Sequence, residues 1–390
     1  MPGYELMGKE ELAEIQDVFS RGGVLFRQGF EGLRNNCYKV RDFEKAFAAT
    51  MGAGHALAVT SGTAALRTAL ATLGIGKGDE VVTQCFTFVA TAEAIIESGA
   101  TPVCSEIDET LNMDPTDLER RITPKTKAVI AVHMLGTPAR LREIDAICKK
   151  HGLVLIEDTA WGCGGSLEGK SLGTWGRMGT YSFDFAKTMT TGEGGMIVFK
   201  KKSDYERAAA WHDHGHENNP KVPRWEDTRA SSGFNYRMME LQGAVGLAQL
   251  KKLQQVVTNQ RENRSALWDA IADLPGIRPR GVPEGSHETA DALVFFVPGK
   301  NAALLCREAL LKVGLTTKIL PEAYTWHFAG TWNHMAELVR SHGGDLAKDF
   351  GPSKEILSRA LSLPVSVKQE PEVPKIARRA LSTVLNWDQQ

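Results

Sequence analysis

The sequence lacks an excess of either charge. Its 390 residues include 46 Lys and Arg against 47 Asp and Glu, so the formal net charge is −1. This balance gives no electrostatic reason to expect nucleic acid or an anionic membrane as a partner. No apolar run approaches the roughly 20 residues that a membrane helix needs, and residues 1–6 carry neither the basic nor the apolar region of a signal peptide. We therefore expect a cytoplasmic protein.

Cysteines are few, and they are scattered. None of the six forms a Cys-x-x-Cys pair with another, which excludes a disulfide-dense secreted scaffold and favours reduced thiols. The alternating histidines His212, His214 and His216 lie among Asp, Gly, Asn and Pro residues, which are typical of a loop. Alternate residues share a face only in a strand. We therefore expect no metal site.

The chain is longer than one hydrophobic core usually supports, and its hydrophobic content of 42% is ordinary for a globular protein. A long predicted helix begins at Met239 and can join two globular parts. We predict a large domain at residues 1–255, with an N-terminal helical segment, and a smaller C-terminal α+β domain at residues 256–390.

Short apolar strands alternate with helices through the first domain. The predicted strands lie at residues 55–59, 80–83, 101–106, 127–133 and 153–156. This alternation predicts an α/β fold with a mainly parallel, doubly wound sheet, in which ligands bind beyond the carboxyl ends of the strands. No Gly-x-Gly-x-x-Gly follows the first strand, which argues against a nicotinamide-dependent oxidoreductase.

Two further elements follow from periodicity. Residues 9–21 form a predicted helix that places Leu12, Ile15, Val18 and Phe19 on one face. Residues 315–320 form a predicted strand of the smaller domain.

A predicted hairpin at residues 179–199 carries the most informative lysine. Two apolar strands flank a turn that contains Lys187 and three glycines. A lysine sheltered in this way has a lowered pKa, and its neutral amine can attack a carbonyl to form a Schiff base. The other interpretation is that Lys187 extends from the loop into water, as most loop lysines do. The hairpin alone does not separate the two.

Other residues supply what pyridoxal 5′-phosphate requires besides an amine. Asp158 follows a strand and can keep the pyridine nitrogen protonated, although a loop-capping carboxylate is the alternative. The predicted helix start at Gly62, Thr63 and Ala64, with the Ser182 hydroxyl, can hold a phosphate. Phe88 has a flat side chain that can stack on the cofactor ring.

The order of these pieces resembles the DegT/DnrJ/StrS family of pyridoxal-phosphate sugar aminotransferases. The resemblance spans essentially the whole chain. The matching stretches are 58–66 (AVTSGTAAL), 86–88 (FTF), 157–160 (EDTA), 181–187 (YSFDFAK), 191–195 (TGEGG), 233–238 (GFNYRM) and 361–364 (LSLP). The resemblance implies the aspartate aminotransferase-like fold (type I) and a homodimer with active sites at the subunit interface. By the same analogy, Asn235 reaches the phosphate in the neighbouring subunit.

The sequence departs from the family pattern in two places. Trp161 stands where the family usually has Gln or His, placed to touch the phenolic oxygen of the cofactor, and Gln84-Cys85 replaces a usual proline. An indole N–H can still donate to an anionic oxygen. Some relatives replace the lysine and dehydrate sugars, whereas Lys187 is present here, which favours transamination.

The resemblance implies L-glutamate as the amino donor and an oxo-sugar as the acceptor. An octulosonate carries a carboxylate and a nucleotide-linked sugar carries a pyrophosphate, so either needs cations. Candidate substrate residues are Arg27, Arg34, Arg229 and His327. A non-catalytic, cofactor-binding regulator on the same fold is the alternative, against which the intact Lys187 and Asp158 argue.

Overall fold

The computed structural model describes residues 2–219, 221–229, 231–321 and 324–385. Its strands, in chain order, are β1 (His55–Val59), β2 (Glu80–Gln84), β3 (Thr101–Ser105), β4 (Thr126–Val132), β5 (Val154–Asp158), β6 (Ser166–Leu167), β7 (Lys170–Ser171), β8 (Met178–Ser182), β9 (Gly195–Phe199), β10 (Arg278–Pro279), β11 (Ser286–His287), β12 (Ala292–Phe296) and β13 (Ala360–Pro364).

The helices cover both faces of the main sheet and flank the C-terminal strands. They are α1 (Pro2–Glu5), α2 (Lys9–Ser20), α3 (Lys39–Met51), α4 (Gly62–Thr72), α5 (Val89–Glu97), α6 (Pro115–Arg121), α7 (Leu141–His151), α8 (Lys202–Trp211), α9 (Glu240–Ile271), α10 (Lys300–Lys312), α11 (Tyr324–His327), α12 (Ala336–Ser341), α13 (Leu346–Asp349), α14 (Gly351–Ser358) and α15 (Val373–Leu385).

The main sheet has seven strands in the order β1-β9-β8-β5-β4-β2-β3. Strand β9 runs antiparallel to both of its neighbours, and the pairs from β8 to β3 are parallel. The parallel strands are buried on both faces because helices cover them, which explains their continuous apolar sequences. The predicted α/β class with a mixed, doubly wound sheet is confirmed.

The helix α9 extends for 32 residues and passes from the main sheet into the C-terminal part of the chain. There, β10, β12 and β13 form a second sheet, whose core includes side chains of α9, α10 and α15. Another hydrophobic core joins the two parts, for example through Phe86 and Phe296. The division at residue 255 falls inside α9 and stays a prediction, and residues 386–390 of the second range lie outside the described residues.

Two local predictions were wrong. In α2, Val18 of the predicted face is buried, but Leu12 and Phe19 are more than half exposed, because the helix turns Glu11 inward in their place. Glu11 is accommodated by Gln249 and Lys252 of α9, each at 2.8 Å.

Residues 315–320 do not form a strand. The backbone of Lys318 and Leu320 bonds with Ser362 of β13, and the Leu320 N–H also donates to the Lys318 carbonyl at 2.8 Å. Between them, Ile319 has a φ of +70° that turns the chain away from the sheet.

Candidate active site

A cavity of about 340 Å³ opens beyond the carboxyl ends of β4, β5 and β8, as expected for a doubly wound sheet. It brings together most of the residues that the sequence singled out. Those lining it include Gly62, Thr63, Phe88, Asp158, Trp161, Ser182, Lys187 and His327.

Lys187 lies in the connection between β8 and β9, which pair as the predicted hairpin. Its backbone is held at both ends, because its N–H donates to Asp184 O at 3.0 Å and its carbonyl accepts from the Gly3 N–H at 3.1 Å. The Nζ lies 3.7 Å from the centroid of the Trp161 ring. Burial lowers the pKa of Lys187 to about 8, against the pull of the Asp184 and Asp158 carboxylates. Roughly a fifth of this amine is therefore neutral near pH 7.4, against about a thousandth for an ordinary lysine.

Asp158 is the last residue of β5, and its carboxylate is buried. Thr91 Oγ1 donates to Oδ2 at 3.0 Å, and the Ala160 N–H donates to Oδ1 at 3.1 Å. Burial raises the pKa of Asp158, although these donors and the nearby Lys187 oppose the rise. The carboxylate is thus oriented, and a cation beside it would stabilise its charge.

The turn from β1 into α4 exposes N–H groups that can bind an anion. Ser61 caps the helix by accepting the Ala64 N–H at 3.0 Å, which leaves the N–H groups of Gly62 and Thr63 without a partner inside the helix. Of the three predicted phosphate-binding residues, Ala64 is therefore engaged by the cap. A Cβ at Gly62 would lie 2.8 Å from Ser182 Cβ, so the glycine lets the helix start approach the Ser182 side chain closely.

The C-terminal part of the chain closes the cavity from the other side. His327, from α11, is buried, and its carbonyl accepts the Thr87 N–H at 2.9 Å. Phe88 is 40% exposed and stacks on Trp326, with ring centroids 6.0 Å apart and planes 7° from parallel. Phe88 is therefore placed as an aromatic wall beside His327, whose centroid lies 5.5 Å away.

Two predicted site residues lie outside this cavity. Asn235 and Arg229 are both exposed, and Asn235 Oδ1 accepts the Arg237 N–H at 3.4 Å. The predicted action of Asn235 on a neighbouring subunit, and that of Arg229 on a substrate, stay predictions.

The structure does not bring Arg27 and Arg34 to the cavity, which corrects the expectation that they face a ligand there. Both are buried. Arg27 pairs with Glu44 at 2.6 Å, and Arg34 lies 3.3 Å from Glu240 while donating to backbone carbonyls. Their guanidinium groups hold the N-terminal segment against β1 and α9.

Sequence reasoning missed two residues that approach the site from the C-terminal part. Lys318 Nζ lies 4.7 Å from the centroid of the Trp161 ring, and it pairs with the buried Asp291 at 2.6 Å. Neither residue belongs to a recognisable motif, and only the folded chain brings them beside Trp161. Thr91 was also missed, although its place one turn into the helix after Phe88 was visible in the sequence.

Two of the three alternating histidines, His212 and His216, have partners outside the cavity. His212 Nδ1 lies 2.6 Å from the Ala209 carbonyl, and His216 Nδ1 lies 3.3 Å from Asp227. Among the described residues, no group of three or more His, Cys, Asp or Glu is arranged to hold a metal ion. No helix within the described ranges is long and apolar enough to cross a membrane.

Comparisons with known proteins agree with this geometry. The DegT/DnrJ/EryC1/StrS aminotransferase family matches residues 30–378. The spore coat polysaccharide biosynthesis protein SpsC of Bacillus subtilis is 33% identical over 377 residues, covering 92% of this chain and 90% of SpsC. A GDP-perosamine synthase of Vibrio cholerae is 38% identical over 234 residues, which is 60% of this chain and 62% of that protein.

Solved structures show the same fold over nearly the whole chain. The aminotransferase TlmJ of Streptoalloteichus hindustanus is 26% identical, with a TM-score of 0.84 and 97% of each chain covered. PseC of Helicobacter pylori, an aminotransferase involved in the biosynthesis of pseudoaminic acid, is 25% identical, with a TM-score of 0.81 and 97% of each chain covered. The fold is thus that of the type I pyridoxal-phosphate enzymes.

Members of this family bind pyridoxal 5′-phosphate, and the residues present fit it. The Asp158 carboxylate accepts one hydrogen bond at each oxygen, which leaves lone pairs for a protonated ring nitrogen. The start of α4 offers N–H groups to a phosphate where Gly62 carries no side chain. The chain belongs to the DegT/DnrJ/EryC1/StrS family and is a pyridoxal-phosphate-dependent sugar aminotransferase.

Proposed function

We propose that the enzyme moves an amino group from L-glutamate to an oxo-sugar, and that the acceptor is 8-oxo-3-deoxy-manno-octulosonate. The product would be 8-amino-3,8-dideoxy-manno-octulosonate, a sugar for lipopolysaccharide. The observation that carries the transamination is the placement of Lys187, Asp158 and the start of α4 around one cavity. Its volume of about 340 Å³ must hold the cofactor and the reacting end of the acceptor, which favours a compact sugar acid.

A nucleotide-linked keto-sugar is the second candidate acceptor. The similarity to GDP-perosamine synthases supports it, at 38% and 39% identity over about 60% of the chain. Such an acceptor would extend out of the cavity, where its pyrophosphate needs cations. The exposed Arg229 is one that a neighbouring subunit can offer.

The proposed roles follow from the contacts. Lys187, with its pKa lowered to about 8, removes the proton from the Cα of the donor and returns a proton to the new amine carbon of the acceptor. Asp158, oriented by Thr91 and the Ala160 N–H, holds the proton on the ring nitrogen. When bound, the cofactor supplies the conjugated ring that takes up the electrons of the broken C–H bond.

We also propose a homodimer with shared active sites. Large apolar side chains are exposed near the cavity entrance and along the N-terminal segment, which is typical of a surface that a partner covers. They include Tyr4, Met7, Phe30, Leu33, Phe185, Trp225, Phe234 and Met239. Tyr4 contacts Phe185 with ring centroids 4.7 Å apart, which links this surface to the Lys187 loop.

The test is a glutamate half-reaction followed by a screen of acceptors. The purified enzyme should convert glutamate to 2-oxoglutarate once per site, and glutamine serves as the alternative donor. The screen compares 8-oxo-octulosonate with nucleotide-linked keto-sugars by product mass. Lys187→Ala should abolish both the cofactor absorption that depends on the lysine and turnover. No half-reaction with either donor would instead support a non-catalytic, cofactor-binding regulator.

A further inference from the structure

One indole ring in the cavity wall is shared by two lysines. The Nζ atoms of Lys187 and Lys318 lie 3.7 Å and 4.7 Å from the centroid of the Trp161 ring. Trp161 is 8% exposed, and its carbonyl accepts the Thr289 hydroxyl at 3.0 Å. Both side-chain nitrogens are thus held close to one fixed aromatic ring, and the charge of one can act on the other.

Lys318 is anchored independently of the cavity. Its Nζ donates to Asp291 Oδ2 at 2.6 Å and to the Asp291 carbonyl at 3.2 Å, while its N–H donates to the Ser362 carbonyl at 2.7 Å. Asp291 is 1% exposed, and within the described residues its Oδ1 has no hydrogen-bond partner. A buried carboxylate of this kind needs a charged neighbour, so Lys318 is held in place as an ammonium.

Lys187 is surrounded by charges of both signs. The carboxylates of Asp184, on the same loop, and of Asp158, at the end of β5, favour its charged form, and so does the more distant Asp291. Burial lowers the pKa of Lys187 against these carboxylates, and the charge of Lys318 lowers it further. An amine among carboxylates is a poor nucleophile unless something disfavours its protonation, and a neighbouring cation does so.

We propose that Lys318 is a positioning residue for Lys187: anchored by Asp291 on the Trp161 ring, it is a fixed like charge that keeps the Lys187 amine neutral and reactive. This inference rests on the proposed role of Lys187.

The experiment measures the reactivity of the Lys187 amine in the full-length, cofactor-free chain. Formaldehyde and cyanoborohydride methylate neutral amines, and mass spectrometry of the Lys187 peptide gives the rate over a pH series. Lys318→Met keeps the apolar stem and removes the charge. We expect Lys187 to be methylated roughly threefold to tenfold more slowly at a pH near 8, with the midpoint of its profile moved upward.

The matched control is Lys318→Arg, which retains a cation able to stack on an indole and should keep the wild-type profile. The exposed Lys127 reports general changes in labelling. An unmoved Lys187 profile in Lys318→Met, or an equal shift in Lys318→Arg, would overturn the proposal. An unmoved profile would mean that the charge of Lys318 does not act on Lys187. An equal shift in Lys318→Arg would mean that side-chain packing, and not charge, changes the reactivity of Lys187.

A second variant keeps the test valid if an unpaired Asp291 prevents Lys318→Met from folding. Lys318→Met combined with Asp291→Asn removes the whole buried pair, which proteins often tolerate. A smaller upward shift of the Lys187 midpoint is expected, because the two lost charges act in opposite directions. A downward shift would overturn the proposal. The labelling needs neither donor nor acceptor, so its outcome is separate from the glutamate half-reaction that tests the proposed function.

Discussion

At the residue scale, two adjacent carboxylates at the end of β5 have different tasks because their side chains point to opposite faces of the strand. Glu157 accepts the N–H groups of Gly173 and Gly176, each at 2.7 Å, and bonds with His133 at 3.0 Å, so it fixes the loop before β8. Asp158 faces the cavity with fewer donors. The motif Glu-Asp therefore joins one structural acid and one acid that faces the cavity.

The variant Asp158→Asn should change activity and stability in opposite directions. Transamination is expected to fall by about 10²-fold to 10³-fold, since the amide cannot stabilise a charged ring nitrogen. The cofactor-free variant should be more stable than the wild type near neutral pH, because burial raises the pKa of Asp158. A raised pKa means that the stability contributed by this group is present in acid and lost as the pH rises through the folded value. The two melting temperatures should therefore converge on acidification, and a constant difference would contradict this account.

Lys187 gives a second pH-dependent prediction. Its pKa is about 8 in the folded chain against an ordinary value of 10.5, so the folded state disfavours the ammonium by roughly 3 kcal/mol. Lys187→Met should stabilise the cofactor-free chain by about this amount below pH 8. The difference should shrink as the pH rises from 8 through 10.5, because above that value the amine is neutral in both states. Urea unfolding of both proteins, once below pH 8 and once near pH 10.5, measures the difference in the free energy of unfolding.

The control for this prediction is Lys127→Met, which removes an exposed lysine of β4. It should change the free energy of unfolding little at either pH, since surface substitutions are usually neutral. Equal effects of the two variants would mean that the buried position of Lys187 has no energetic cost.

At the scale of elements, Gly192 of the turn and Gly195 at the start of β9 have separate functions. A Cβ at Gly195 would lie 2.2 Å from the Ser61 carbonyl oxygen, whereas one at Gly192 meets no atom within 4 Å. The close approach at Gly195 is what holds β9 against the start of α4. Gly192 instead has a φ of +81°, which other residues adopt only with strain.

Gly195→Ala should therefore cost about 3 kcal/mol or more in stability and weaken cofactor binding, because the start of α4 must move. Gly192→Ala is the matched variant and should cost about 1 kcal/mol, with cofactor affinity unchanged. Denaturant unfolding and absorbance titration with the cofactor measure the two effects. Equal losses of affinity would mean that the steric contact at Ser61 does not position the anion site.

The sequence predicted elements well where the period was regular and side-chain partners were local. The strands and helices from β1 to β5 and the hairpin around Lys187 fall close to their predicted positions. The predicted face of α2 was wrong at Leu12 and Phe19, because hydrophobic periodicity cannot anticipate that Lys252 offers Glu11 a buried partner. The strand predicted at residues 315–320 was wrong for a related reason, since β propensity does not reveal the backbone turn at Ile319.

At the scale of the whole molecule, the candidate site combines distant parts of the chain. Lys187 and Asp158 were predictable, because family-like motifs and strand ends mark them. Lys318 and Asp291 were not, since no short-range pattern indicates that the segment after α10 packs against Trp161. The same limit applies to Arg27 and Arg34, whose buried partners Glu44 and Glu240 are distant in sequence.

The proposed dimer makes one prediction that only a shared active site fulfils. Asn235 is exposed and lies outside the lining of the cavity of its own chain, so the proposal assigns it to the partner's site. Lys187→Ala and Asn235→Asp should each be inactive alone, the second because a carboxylate repels the phosphate. In a mixed dimer, one site combines the intact Lys187 of one chain with the intact Asn235 of the other.

Random exchange of equal amounts makes about half of the dimers mixed, each with one intact site of two, so roughly one quarter of the wild-type activity should return. The measurement is the transamination rate after the two tagged variants are unfolded and refolded together, with each variant refolded alone as its control. Recovery requires that the two residues of a working site come from different chains. If mixed dimers are isolated through both tags and remain inactive, then Asn235 does not complete the site of the partner chain, and the dimer does not share its active sites in the proposed way.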